Sequence, residues 1–473
     1  MSAPLAEQPP AAPQIEHPLG APQSERPSSG SLSERSESKG AWRTAYADRM
    51  MRTFAPPLLE LTRGEGAHVW DSDGREYLDF LAGIAVNALG HAHPVVVEAA
   101  SRQAATLIHV SNYFASEPQL ALAARLLRLT GAGDEGRVFF ANSGTEAIEA
   151  AIKLARRTGR TRILALEQSF HGRTMGALAL TGKAALREPF EPLIPHVEHI
   201  DSTLEALEAA IGPDVAALVV EPIKGEAGVL PLPEGYLAAA RALTAEHGVL
   251  LIIDEIQTGA GRTGAWFGYQ HEGVTPDAIV LAKGIGGGVP IGALVTFGAA
   301  SELLGAGQHG STFGGNPFVT AVSDAVLGEI ERAGLVENAA VRGPQIEAAI
   351  AAIGSPLVAG TRGRGLLIGV ALTAPVAGEL MRAALERGLI VNAPNDETIR
   401  IAPPLTIGDA EIAEFADRFA AALAEVSGFR SDHSGSLSEP ADPSGSLSEP
   451  ADSSGSLSER SESKDQTPEE ATP

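Results

Sequence analysis

A lysine closes an apolar run in Leu281-Ala282-Lys283-Gly284-Ile285-Gly286-Gly287-Gly288-Val289-Pro290, where packing gives it little reason to be. Burial disfavours an ammonium, lowers its pKa and frees the amine for Schiff-base chemistry with a carbonyl. The rival reading is a dinucleotide fingerprint. It fails on spacing, because the third glycine of G-x-G-x-x-G falls on Val289, and Pro290 and another strand follow instead of a helix. A second apolar run, Ile252-Ile253-Asp254-Glu255-Ile256-Gln257, ends in two carboxylates. A carboxylate at a buried strand end is costly unless it meets a cation, such as a protonated heteroaromatic nitrogen. Side chains alternate along a strand, so Asp254 and Glu255 are expected to face opposite ways. The plainer reading of Asp254 is a salt-bridged or metal-binding carboxylate, but the nearby histidines lack ligand spacing and no metal is expected.

Three further stretches add polar chemistry. Asn142-Ser143-Gly144-Thr145-Glu146-Ala147 follows a strand and opens a helix. The unsatisfied N–H groups of a helix start, with Gly144 permitting close approach and Thr145 adding a hydroxyl, suit a phosphate; a simple helix cap explains the same residues. In Ser169-Phe170-His171-Gly172-Arg173-Thr174, Phe170 offers a face for a planar ring and Arg173 a two-pronged clamp for a carboxylate. Their plainer readings are a core aromatic and a surface charge. Gly310-Ser311-Thr312-Phe313-Gly314-Gly315-Asn316-Pro317 supplies hydroxyls for a second phosphate contact, or is only a loop. Each signal is modest alone. Together they supply a phosphate cradle, a ring stack, a carboxylate for a ring nitrogen and an amine for a carbonyl, which is what pyridoxal phosphate requires of a protein.

Elements must bring these residues together. Short apolar runs at 137–141, 162–166, 215–221, 249–254, 277–282 and 293–297 predict buried strands, and amphipathic patterns at 146–157 and 236–247 predict helices. The alternation implies an α/β domain with a mostly parallel sheet, whose ligands lie at the carboxyl ends of the strands. Ser143 to Thr145, Phe170 to Arg173, Glu221 to Glu226, Asp254 to Gln257 and Lys283 fall at such ends. Beyond about 329 the texture changes to helices flanking strands at 365–372 and 397–402, a smaller α+β domain that strands at 68–70 and 77–80 are placed to join. The expected division is 1–44 as a low-complexity extension, 45–95 as part of the small domain, 96–328 as the large domain, 329–428 as the rest of the small domain, and 429–473 as a tail. Both ends are rich in Pro, Ser and Glu and are read as disordered. The tail repeats SGSLSEPADP, SGSLSEPADS and SGSLSERSES from Ser434, Ser444 and Ser454, with too few apolar residues to stack into a solenoid.

Composition removes other classes. A net charge of −24 opposes binding to nucleic acid or anionic lipid. The absence of cysteine excludes disulfides and thiolate metal sites. No secretory signal or bilayer-spanning run is visible, so a cytoplasmic protein without membrane partners is expected.

From about 52 to 426 the chain closely resembles the class III aminotransferases of fold type I, on the motifs above and on Asp79-Phe80-Leu81-Ala82-Gly83-Ile84-Ala85-Val86-Asn87-Ala88-Leu89-Gly90-His91. That resemblance implies a seven-stranded large-domain sheet, bound pyridoxal 5'-phosphate and a homodimer. It implies that Lys283 binds the cofactor covalently and moves the proton, Asp254 pairs with the pyridine nitrogen, Gln257 touches the phenolic oxygen and Phe170 stacks on the ring. Gly144 and Thr145 would hold the phosphate, with Thr312 of a second subunit. Arg173 and Ser311 would contact the amine donor, Arg400 the α-carboxylate of the oxo acid, and Glu226 would pair with Arg400 when a donor needs that space. Within the class the wording is most similar to members acting on N2-acetyl-L-ornithine and 2-oxoglutarate, the latter becoming glutamate, in arginine biosynthesis. Related ω-amino donors (succinylornithine, ornithine, 4-aminobutyrate or succinyl-diaminopimelate) form one alternative, and a non-catalytic binding protein a more distant one. Lys224 and Ile148 depart from the family's usual Gln and Asn.

Overall fold

The computed structural model describes residues 40–434, with side chains through 428. The extension before residue 40 and the repeats beyond Ser434 lie outside the described residues. The first described helix, Ala41–Arg49, begins inside the stretch read as an extension, and the last, Asp409–Ser434, runs past 428.

Near the start, β1 (Leu61–Glu65), β2 (His68–Asp71) and β3 (Glu76–Asp79) form an antiparallel meander. The central sheet is built from β4 (Arg137–Ala141), β5 (Arg162–Leu166), β6 (Val197–Ile200) and β7 (Val215–Val220). A small hairpin, β8 (Ile223–Lys224) and β9 (Leu230–Pro231), intervenes before β10 (Leu250–Asp254), β11 (Ala278–Leu281) and β12 (Gly292–Thr296) complete it. Its order is β4-β12-β11-β10-β7-β5-β6, and β12 alone runs against its two neighbours. This is the α/β architecture with a mostly parallel sheet that the alternation of patterns predicts, and its seven strands are the number that the family resemblance implies.

Local chemistry explains the elements. All six residues of β7, Val-Ala-Ala-Leu-Val-Val, are buried, as a central parallel strand covered on both faces must be. The helix Gly144–Arg156 packs Ala147, Ile148, Ala150, Ala151, Leu154 and Ala155 inward, and its four alanines let it lie close to the sheet. Ser143 caps its start, and Lys153 and Arg156 complement the dipole at its end. The helix Tyr236–His247 has the bounds its periodicity predicts and stops at Gly248, which takes a left-handed conformation (φ 61°).

The strand β6 is absent from the sequence reading. Its four residues alternate Val-Glu-His-Ile at the sheet edge, behind Pro192 and Pro195, so neither an apolar run nor a propensity signal marks it.

The C-terminal part contributes β13 (Val358–Arg364), β14 (Leu367–Leu372), β15 (Leu389–Ile390), β16 (Asn392–Asn395) and β17 (Thr398–Ile401). Strands β13-β14-β17-β16 form an antiparallel sheet, while β15 pairs in parallel with β3 and so joins the N-terminal meander to the C-terminal segment. The antiparallel sheet carries Arg400 to the edge of the central sheet's site.

Candidate active site

The carboxyl ends of β4, β5, β7, β10 and β11 open onto one cavity of about 450 Å³. Because β12 is reversed, its leading segment Val289-Pro290-Ile291 lies on that same edge and also lines the cavity. Of the residues singled out from the sequence, Gly144, Thr145, Phe170, Arg173, Glu226, Asp254, Gln257 and Lys283 all line it.

At one end, Ser143 Oγ accepts the N–H of Glu146 at 3.4 Å, and Glu146 Oε2 accepts the Asn142 N–H at 2.7 Å. The capping reading therefore holds, and it leaves the N–H groups of Gly144 and Thr145 without a partner among the described residues. Cap and anion cradle coexist, because the Ser143 cap consumes only the N–H of Glu146, the third residue of the first turn. The Thr145 hydroxyl lies 2.8 Å from that of Thr174, which donates to Glu149 at 2.5 Å. That chain ties the helix start to the Phe170–Arg173 loop.

At the other end, Lys283 follows β11 in a left-handed conformation, φ 47°, a strained state costing on the order of 1–3 kcal/mol for a residue with a Cβ. Burial pulls its pKa below the ordinary lysine value, and the Arg400 guanidinium adds to that; Glu226, Asp254 and Glu221 pull the other way without overcoming it. Asp254 and Glu255 do face opposite ways. Asp254 lines the cavity, whereas Glu255 accepts bonds from the Thr258 hydroxyl and the N–H groups of Gly268 and Tyr269, and burial pushes its pKa up to about 7.

Arg400 is fully buried and lies outside the cavity lining, behind Glu226 and Gln257. It donates to Glu226 through a short charge-assisted bond, to Gln257 Oε1 at 3.3 Å and to Asn392 Oδ1 at 2.8 Å. Burial alone would raise the Glu226 carboxyl, but Arg400 outweighs it and holds the group below its usual pKa. The guanidinium of Arg173 is exposed and lies 5.5 Å from the centroid of the Phe170 ring.

Besides Arg400, two expected residues lie outside the cavity lining. Ser311 is spent on Asn142 Nδ2 (3.1 Å) and the Gly314 N–H (2.9 Å), beside the phosphate-type end. Thr312 is exposed on the same loop. Lys224 is buried and turned away from Glu226, donating to the Glu167 carbonyl at 3.1 Å and to Ser202 Oγ at 2.9 Å. Ile148 is packed in the core.

Sequence reasoning gave no role to His171, Glu221 or Asn392. His171 Nδ1 lies 2.7 Å from Asp254 Oδ2. Glu221 accepts the N–H of Phe170 at 2.8 Å, and burial together with Asp254 pushes its carboxyl up to about 7. The strand-end logic that marked Asp254 applies equally to Glu221 at the end of β7. Nothing local marks Asn392. Elsewhere, His68, Glu76 and Glu414 could in principle hold a metal, but Arg418 already pairs with Glu414 at 2.5 Å. Among the described residues, no helix is long and apolar enough to cross a membrane.

The fold and this site define an aminotransferase scaffold, and the chain belongs to the aminotransferase class-III family, which it matches over residues 50–423. It is 53% identical over 368 residues to the acetylornithine aminotransferase of Streptomyces coelicolor, covering 77% of this chain and 91% of that protein. The acetylornithine aminotransferase of Mycobacterium tuberculosis is 52% identical over 389 residues, covering 82% and 96%. Among solved structures, N-acetylornithine aminotransferase from Stenotrophomonas maltophilia aligns with TM-score 0.71 at 36% identity, over 82% of this chain and all of that one. Ornithine aminotransferase from Toxoplasma gondii aligns with TM-score 0.79 at 32% identity, over 84% and 99%.

Proposed function

We propose that this chain is an acetylornithine aminotransferase of arginine biosynthesis. It would use pyridoxal 5'-phosphate to pass the terminal amino group of N2-acetyl-L-ornithine to 2-oxoglutarate, giving glutamate, and work as a cytoplasmic homodimer. The observation that carries the reading is one cavity lined by a lysine with a lowered pKa, a buried carboxylate and Glu226, which is ion-paired with the buried Arg400.

The residues fit the cofactor. The free N–H groups of Gly144 and Thr145 at a thirteen-residue helix start suit its phosphate, Asp254 its ring nitrogen, Gln257 its phenolic oxygen and Phe170 its ring face. When bound, pyridoxal phosphate supplies an electron-withdrawing ring that stabilises negative charge at the substrate carbon. The chain's own residues do the rest. Lys283, whose charged form burial disfavours, would attach the cofactor and then carry a proton to and from the substrate carbon. Asp254, oriented by His171, keeps a cationic ring nitrogen paired. Arg173, exposed at the mouth, holds the donor's carboxylate. Arg400 takes the α-carboxylate of 2-oxoglutarate or glutamate once Glu226 releases it. With a donor in place, Glu226 neutralises Arg400 again. Ser311 lies beside Asn142 and reaches the donor only after leaving its present bonds.

The likeness to ornithine aminotransferase keeps a wider set of ω-amino donors in play. The deciding experiment is the visible spectrum of the purified protein, titrated with N2-acetyl-L-ornithine, ornithine and 4-aminobutyrate in turn. The expected result is a cofactor band bleached preferentially by acetylornithine and restored by 2-oxoglutarate. Preferential bleaching by another donor moves the substrate. No band after added pyridoxal phosphate overturns the reading.

A further inference from the structure

Glu226 sits on the turn between β8 and β9, and three successive carbonyls of that turn are held from outside it. Lys183 Nζ donates to the Glu226 carbonyl, Asn395 Nδ2 to that of Ala227 at 3.1 Å, and Arg362 Nε to that of Gly228 at 2.9 Å. Arg362 is fixed in turn by its bond to Thr398 Oγ1 at 2.8 Å. On the entering side, the Gly225 N–H donates to Glu221 Oε2 at 3.3 Å. The turn is also seated tightly. Gly228 has φ 103°, and a Cβ there would come within 2.6 Å of Asn395 Nδ2 and 2.9 Å of Thr398 Oγ1. A Cβ on Gly225 would meet Gln257 Oε1 at 2.2 Å.

Turn carbonyls between such short strands ordinarily face water. Here two cationic side chains are spent on them, and among the described residues neither Lys183 nor Arg362 forms an ion pair with a carboxylate. Bonds from charged donors are the stronger kind, so the main chain at Glu226 is held at several points while its side chain stays partly exposed to the cavity.

We propose that Lys183, Arg362 and Asn395 are positioning residues that immobilise the main chain of the Glu226 turn, so that exchange at Arg400 is carried by the Glu226 side chain alone. The clamp thereby sets the balance between the half-reaction with the amine donor and the half-reaction with the dicarboxylate. This rests on the Glu226–Arg400 exchange described under the proposed function. The physical basis is entropy: a turn ordered in advance lets Glu226 re-form its pair without ordering a loop each time. A loosened turn weakens the pair, leaves Arg400 freer to bind a dicarboxylate, and exposes a bare cation to the donor.

The test uses the holoenzyme and its Lys183→Met, Arg362→Gln and Glu226→Gln variants. Each half-reaction is followed separately by single-turnover absorbance with acetylornithine and with glutamate, and binding of unreactive glutarate is measured by calorimetry. In Lys183→Met and Arg362→Gln, the ratio of the donor to the glutamate specificity constant is expected to fall about tenfold, the order of one charged hydrogen bond, with glutarate binding tightened. Equal loss in both half-reactions, or an unmoved ratio with unmoved glutarate affinity, overturns the clamp, since a merely structural role acts on both alike. Should one variant fail to fold, the other decides. Glu226→Gln separates the two readings: an unmoved ratio there overturns the exchange itself, whereas a moved ratio there with unmoved clamp variants overturns the clamp alone.

Discussion

His171 Nδ1 lies 2.7 Å from Asp254 Oδ2, both groups are buried, and His171 Nε2 has no partner among the described residues. Burial opposes a charged imidazole, but the Asp254 carboxylate outweighs it and raises the His171 pKa. The remaining Asp254 oxygen accepts the Ile256 N–H at 3.0 Å, so the carboxylate is fixed from both sides. We predict that His171→Asn lowers turnover by roughly tenfold to a hundredfold, the span of a lost charge-assisted bond, and loosens pyridoxal phosphate. Stopped-flow kinetics and cofactor dissociation would measure both. Unchanged values would remove His171 from the positioning of Asp254.

Lys283→Ala should abolish transamination while thermal melting stays cooperative. The amine also carries a pH prediction. A folded-state pKa below the ordinary lysine value leaves more neutral amine at a given pH, so the apoenzyme should capture pyridoxal phosphate at nearly constant rate down to pH values where free lysine has already slowed about tenfold per unit. Removing the negative charge in Glu226→Gln should extend that plateau to lower pH. Removing the positive charge in Arg400→Gln should shorten it. Capture that follows the free-lysine slope would contradict the burial argument.

What the sequence made legible follows from which constraints are local. Strands β7, β10 and β11 are short apolar runs, and the residues at their carboxyl ends could be placed on one edge before any coordinates. The helix start at Ser143 was readable for the same reason, since capping is decided within four residues. The partners of Arg400 are not local: Glu226, Gln257 and Asn392 come from three separate segments, and only family resemblance suggested the first. Glu221 could be placed at a strand end but given no role, because its partners, the N–H groups of Phe170 and Gly225, are backbone donors that leave no motif. The edge strand β6 is half exposed and preceded by two prolines, so its pairing is a tertiary decision.

Arg400→Lys should raise the KM for 2-oxoglutarate far more than that for acetylornithine. A lysine keeps the charge but loses the planar fork that bonds a carboxylate twice, and it would leave the Asn392 and Gln257 acceptors underfilled. A loss on the order of tenfold to a hundredfold in kcat/KM for the oxo acid is expected. Steady-state kinetics varying each substrate would check it. Equal loss for both substrates would assign Arg400 to the cofactor site instead.

Thr312 is exposed on a loop that Asn112 ties down through the Ser311 and Gly314 carbonyls at 2.9 and 3.1 Å. Its neighbours Phe313 (60% exposed) and Tyr113 (92%) present large apolar surface, which suits burial against a second copy of the chain. If Thr312 completes the phosphate site of that copy, Thr312→Glu should expel the cofactor by placing a carboxylate beside the phosphate, and this variant and Lys283→Ala should each be inactive alone. Co-expressed, they should recover about a quarter of wild-type activity: half the dimers are hybrids, and each hybrid pairs the intact Lys283 of one chain with the intact Thr312 of the other. If Thr312 served its own chain's site, the hybrid would contain no intact site and co-expression would restore nothing. Separating the hybrids by two affinity tags and assaying them directly distinguishes these outcomes.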